Sequence, residues 1–117
     1  MVAGITNPAT QECLEHCTTA ESACLDTIQY GLQKGGRYAE SGLLSVLLCC
    51  ADACDATATF LRMESEFEAR MCALTADVCL RAALECDHFG TDPILRQCAD
   101  ACRRCADACE RLAEVTA

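Results

Sequence analysis

Apolar and small residues recur every three or four positions along most of the chain, and charged residues fill the positions between them. In the C-terminal stretch sulfur carries the repeat. Cys98, Cys102, Cys105 and Cys109 are spaced +4, +3, +4, with Arg96, Asp100, Arg103, Arg104, Asp107, Glu110 and Arg111 at the other positions. That period sets the cysteines on the buried face of an amphipathic helix. Three earlier segments follow the same rule. Cys13, Cys17 and Cys24 are spaced +4 and +7, and Cys72, Cys79 and Cys86 keep a strict heptad. In Cys49-Cys50-Ala51-Asp52-Ala53-Cys54, Cys50 and Cys54 share a face and Cys49 is turned about 100° away.

Breaks divide the pattern into four helices. Asn7 and Pro8 supply a cap and a first-turn proline for a helix over about 8–34, stopped by Gly35-Gly36. A second, starting near Tyr38 or Ser41, is expected over about 38–63. Ser65-Glu66-Phe67-Glu68 reads as a capping box that opens a third over about 66–89, with Gly90 as its stop. Thr91-Asp92-Pro93 caps a fourth over about 93–115. Long helices with short connections predict an all-α fold: one domain over 1–117, an antiparallel up-down-up-down four-helix bundle with a cysteine-lined core.

Composition sharpens this picture. The 117 residues include thirteen cysteines, twenty alanines and thirteen leucines but no tryptophan, so sulfur must occupy core volume. A net charge of −9 leaves no basic stripe for counterion release, which excludes nucleic acid as a main partner. The first eight residues have neither a positive n-region nor an apolar h-region, and no uninterrupted apolar run approaches the roughly 18 residues of a membrane span. A cytoplasmic protein without a membrane partner is therefore expected. In that reducing setting, and with an odd count, the cysteines should remain thiols.

Soft thiolates select Cu(I), Zn(II) or iron–sulfur clusters. Residues at i and i+4 have Cβ atoms about 5–6 Å apart, suited to a metal held between two sulfurs in a near-linear pair, a Cu(I) preference. Closed zinc sites favour four tetrahedral ligands with Cys pairs on loops. Charge points the same way: one Cu(I) per thiolate leaves the core near neutral, whereas one per two would bury about six negative charges. All thirteen cysteines are thus candidate ligands for multiple Cu(I) ions. A rise of about 1.5 Å per residue layers Cys13 with Cys109, then Cys17, Cys72 and Cys105, then Cys54 and Cys102. A band of Cys24, Cys49, Cys50, Cys79 and Cys98 follows, and Cys86 stands apart. His16, His88, Met63 and Met71 are further candidate ligands near the bundle ends, against plainer roles as surface histidines and core-filling methionines.

Other readings remain open at this point: a zinc or general soft-metal thiolate buffer, a thiol redox enzyme, or an interaction bundle whose cysteines merely pack. Cys102-Arg103-Arg104-Cys105 matches the redox Cys-x-x-Cys motif, but it lies mid-helix without a βαβ context. Glu85-x-x-His88 matches half of a di-iron motif that needs two such pairs. The run from Leu43 to Leu48 is apolar around its circumference, so a second face should be covered by another subunit or by a local core under the first loop.

The repeated pairs Cys13-x3-Cys17, Cys50-x3-Cys54, Cys98-x3-Cys102 and Cys105-x3-Cys109 in a four-helix pattern resemble the bacterial copper storage proteins, the Csp family, over essentially the whole chain. The resemblance implies a non-catalytic, cytosolic homotetramer that fills its bundle core with Cu(I), with histidine involvement near a bundle mouth.

Overall fold

The computed structural model describes residues 7–116. Four α-helices follow one another: α1 (Pro8–Lys34), α2 (Ser41–Arg62), α3 (Glu68–Asp87) and α4 (Pro93–Thr116), with a single 3-10 turn at Gly36–Ala39 between the first two. α1 packs on α2 and α4, and α3 packs on the same two. The helices therefore close a ring, the antiparallel bundle that the short connections demanded, 46 Å long and about 20 Å across.

Capping chemistry decides where each helix starts. Asn7 Oδ1 accepts from the Ala9 N–H at 2.9 Å, and Pro8 occupies the first turn. At the far end of α1 the chain turns through Gly35 and Gly36, both at positive φ. Gly31 is also required there: a Cβ at this position would lie 2.4 Å from the Tyr38 carbonyl oxygen, so only glycine lets the 3-10 turn dock on the helix. That turn takes up residues 36–39, and α2 begins at Ser41 rather than at 38.

The α2–α3 connection departs from the capping box. Glu64 adopts φ 51°, its N–H bonds to the Leu61 carbonyl at 3.2 Å, and the Ser65 N–H bonds to the Phe60 carbonyl at 3.0 Å. This is the paired closure of a Schellman turn, with glutamate where glycine is usual. With its N–H bound to Phe60, Ser65 does not offer it to Glu68, and the reciprocal half of the box is not made. The Ser65 hydroxyl accepts instead from the Phe67 N–H, so α3 starts at Glu68, two residues later than the motif suggested. Its other end also stops two residues short of 89. The N–H groups of His88, Phe89 and Gly90 reach back only three residues, to Glu85, Cys86 and Asp87, which tightens the chain out of the α-helix before Gly90 turns at φ 64°.

Asp92 ties the bundle end together. One carboxylate oxygen caps α4 at the Ile94 N–H, 2.9 Å away, and the other accepts from the hydroxyls of Tyr30 at 2.8 Å and Tyr38 at 3.0 Å. Burial pushes this carboxyl up, but the two phenols and the helix N–H groups outweigh it and hold Asp92 below the usual carboxylate range. Tyr38 stacks between Tyr30 and Phe89, with ring centroids 5.9 and 4.6 Å away.

Cysteine and alanine fill the middle of the bundle, while Leu43, Leu47, Leu61, Leu95 and Leu112 are buried towards its ends. Small core residues let the four backbones approach closely, so thiols from different helices can meet. α2 is, by length and composition, apolar enough to cross a membrane, with mean hydropathy 1.5 over eighteen residues, a property that counting uninterrupted runs overlooks. In the bundle its Leu43 and Leu47 face the core and Leu48 is 50% exposed, so the apolar run does carry a second, outward face.

Candidate metal centre

Twelve of the thirteen cysteines are buried, all of them unpaired thiols and none more than 1% exposed. Ten of their sulfurs form one connected ladder, which Cys72 joins within 4.8 Å of Cys13 and Cys109. From the end holding the α2–α3 turn, Cys13 Sγ lies 3.5 Å from Cys109, which is 4.0 Å from both Cys17 and Cys105. Cys105 is 3.7 Å from Cys17 and 3.8 Å from Cys54. Cys54 and Cys50 reach Cys79 at 3.8 and 3.5 Å, and Cys50 continues to Cys102 at 3.9 Å. Cys24 then lies 3.7 Å from Cys102 and 4.0 Å from Cys98.

Within the ladder four sets of three sulfurs lie mutually within 4.8 Å: Cys13, Cys72 and Cys109; Cys17, Cys105 and Cys109; Cys50, Cys54 and Cys79; Cys24, Cys98 and Cys102. With metal–sulfur bonds of about 2.3 Å, three thiolates around one ion stand about 4.0 Å apart. The separations therefore suit trigonal sharing of a soft cation. Near-linear pairs along one helix were the expectation; most of these contacts instead join different helices. Among the described residues no histidine or carboxylate completes any of the four sets.

Residues 6–114 match the family described as copper storage protein. The chain belongs to that family. It is similar in structure to the Nmul_A1745 protein of Nitrosospira multiformis, with a TM-score of 0.87 at 26% identity, covering 94% of this chain and 99% of that one. The Cu(I)-bound copper storage protein BsCsp3 aligns with a TM-score of 0.84 at 28% identity, over 90% of this chain and 98% of its own. The cysteine-rich protein YhjQ of Bacillus subtilis is 30% identical over 99 residues, 80% of this chain and 92% of its own length.

Set against the layers expected from helix rise, this copper storage family member differs in three places. Cys72 sits with Cys13 and Cys109 rather than with Cys17 and Cys105. Cys54 joins Cys50 and Cys79, and Cys102 joins Cys24 and Cys98, so the single four-helix band splits in two. Cys86 joins none of the four sets; its neighbour Cys98 and burial push its thiol up. The expected layers lacked the axial shift that the α2–α3 turn imposes on α3.

Cys49 lies outside the ladder. It is exposed, facing a surface groove with Val46 and Arg81, because the 100° offset from Cys50 points it away from the bundle axis. Met63 is 73% exposed and Met71 half-buried, so neither fills the core. His16 is half-buried, and the side chain of His88 is 70% exposed beside Glu85. Among the described residues neither histidine joins a thiol set.

Neighbouring buried thiols push one another in opposite directions. The adjacent Cys109 and Cys13 hold Cys72 down to about 4, and the adjacent Cys109 helps to hold Cys105 at about 6. Cys17 is held low by Cys105 and Cys109, and Cys50 and Cys98 each by Cys102 and Cys24. The opposite partners rise: Cys24 through Cys102, Cys54 through Cys105, Cys109 through Cys105, each helped by burial. Each set thus contains at least one thiol held below its ordinary range, and soft-metal binding requires thiols to lose their protons.

The cysteine pattern alone left out Thr57 and Thr75. Each follows a core cysteine by three residues, Cys54 and Cys72, and both are fully buried with their hydroxyls 2.6 Å apart. The signal was there in the spacing, since the cysteine face of α2 and α3 continues onto them.

Proposed function

We propose that the protein is a non-catalytic store that sequesters many Cu(I) ions inside its bundle, at about one ion per core thiol. The observation that carries this reading is the set of twelve buried thiols, ten of which are joined in a ladder of sulfur neighbours 3.5 to 4.0 Å apart, mostly across helices. Loading at that ratio neutralises thiolates that would otherwise be buried charges. Three-sulfur sets without a fourth ligand favour Cu(I) over closed tetrahedral zinc. A thiol redox enzyme needs an accessible, acidic cysteine beside a resolving partner. Here the acidified thiols Cys72 and Cys105 are wholly buried, which favours storage. We further read the protein as cytoplasmic and homotetrameric, with copper as its partner; the half-exposed Leu48, Leu74 and Leu84 suit contacts between subunits.

The test is titration of the reduced protein with Cu(I) against a competing chelator. Uptake should continue to about one equivalent per core thiol. Saturation at one or two equivalents would overturn the storage reading and indicate a chaperone or a single structural site.

A further inference from the structure

Between α1 and the first turns of α4, on the side of the bundle, a cavity of about 330 Å³ opens to the surface. It is lined by Thr19, Ser22, Asp26 and Gln97 among others, and by Cys98, which is 1% exposed. Cys98 belongs to the Cys24, Cys98 and Cys102 set. One member of the three-thiol site at the α4 N-terminal end of the ladder therefore borders a solvent-connected space large enough for a small molecule. Ala23 also lines the cavity, and its short side chain helps to leave the space open.

We propose that this groove is a side window at which a small hydrophilic thiol exchanges Cu(I) with the Cys24, Cys98 and Cys102 set. The proposal rests on the storage reading and adds to it a route for release. In the exchange the incoming sulfur bonds to Cu(I) as the bond from copper to Cys98 Sγ breaks. The proton lost by the incoming thiol passes to the departing Cys98 thiolate, and copper stays Cu(I), so no oxidant or reductant takes part. The rim offers hydrogen-bonding groups and one carboxylate, on a chain whose net charge is −9. A thiol carrying an ammonium group is drawn to such a rim and one carrying a carboxylate is repelled.

Two measurements on the full chain test this. In the first, the Cu(I)-loaded protein is mixed with cysteamine or mercaptoacetate at low ionic strength and copper transfer is followed over time. Cysteamine should act several-fold faster, with Asp26→Asn narrowing the ratio. Ala23→Leu, which fills the groove without touching a thiol, should slow transfer about ten-fold at unchanged copper content. Equal rates for Ala23→Leu and the parent chain would overturn the window in favour of release at the bundle ends. In the second, the reduced metal-free parent chain is treated with iodoacetamide and its cysteines are followed by mass spectrometry. Cys98 should be alkylated about ten-fold faster than Cys24 or Cys102, because access limits the reaction of a buried thiol. Equal or slower labelling of Cys98 would overturn the proposal whatever the variant does to packing. Failure of the storage reading would show separately, in the copper content of the parent chain.

Discussion

Along the seam between α1 and α4 sulfur follows sulfur. Cys13, Cys109, Cys105 and Cys17 stand 3.5 to 4.0 Å from one another in succession, and further along Cys102, Cys24 and Cys98 follow at 3.7 and 4.0 Å, linked to the first group through Cys54, Cys79 and Cys50. The seam between α2 and α3 is interrupted: the Thr57 and Thr75 pair lies between Cys72 at one end and Cys54 and Cys79 further in. The contrast comes from spacing. A +4, +3, +4 pattern brings a thiol inward on every turn of α4, whereas a heptad on α3 leaves alternate layers for another residue. Threonine fills that layer on both helices and satisfies itself, with Thr57 also donating to the Ala53 carbonyl at 2.8 Å. Hydroxyl oxygen is a poor ligand for Cu(I), so this layer acts as a plug. The outer set of Cys13, Cys72 and Cys109 then communicates with the inner sets through Cys17 and Cys105.

The sharpest way to break this comparison is to cut that link. Cys17→Ala with Cys105→Ala should remove more than two copper equivalents, about four, because bridging sulfurs support neighbouring ions. Helix content should hold, since alanine is the best helix former. Metal analysis and far-ultraviolet circular dichroism decide the matter; a loss of two or fewer would mean that the thiols fill independently.

A smaller effect, opposite in sign, is expected from completing the interrupted seam. Thr57→Cys with Thr75→Cys should raise capacity by about two equivalents, as two more soft ligands enter the layer. Unchanged capacity by the same metal analysis would show that metal does not reach this layer.

The smallest effect belongs to the thiol outside both seams. Cys49→Ser should lower capacity by no more than about one equivalent and leave the affinity of the remainder unchanged in competition titration. A loss of several equivalents would place this exposed sulfur within the store.

Much of the fold was legible in the residues. The cysteine period of α4, the Asn7-Pro8 cap and the Asp92-Pro93 start each act locally, through hydrogen bonds and sterics that a short segment carries within itself. The register between helices was not. Cys72 was expected one layer too far in, because the Schellman turn at Glu64 and the later start of α3 set the axial position of that helix. The ligand sets were hidden for a related reason. Sequence spacing compares thiols on one helix, and Cys105 with Cys109 is one such close pair, at 4.0 Å. The remaining close sulfur contacts described above, such as Cys13 with Cys109 and Cys50 with Cys102, join different helices and depend on packing. Cys49 shows the limit of counting residues: its neighbour Cys50 is wholly buried while it faces solvent.

The central claim is that copper resides along this ladder inside the bundle, and anomalous diffraction at the copper edge from crystals of the Cu(I)-loaded protein tests it most directly. The account predicts a row of copper peaks near the bundle axis, from the Cys13, Cys72 and Cys109 set to the Cys24, Cys98 and Cys102 set, each bonded to cysteine sulfur. Copper found only at surface groups such as Cys49 or His88, with no peak between the core sulfurs, would contradict it.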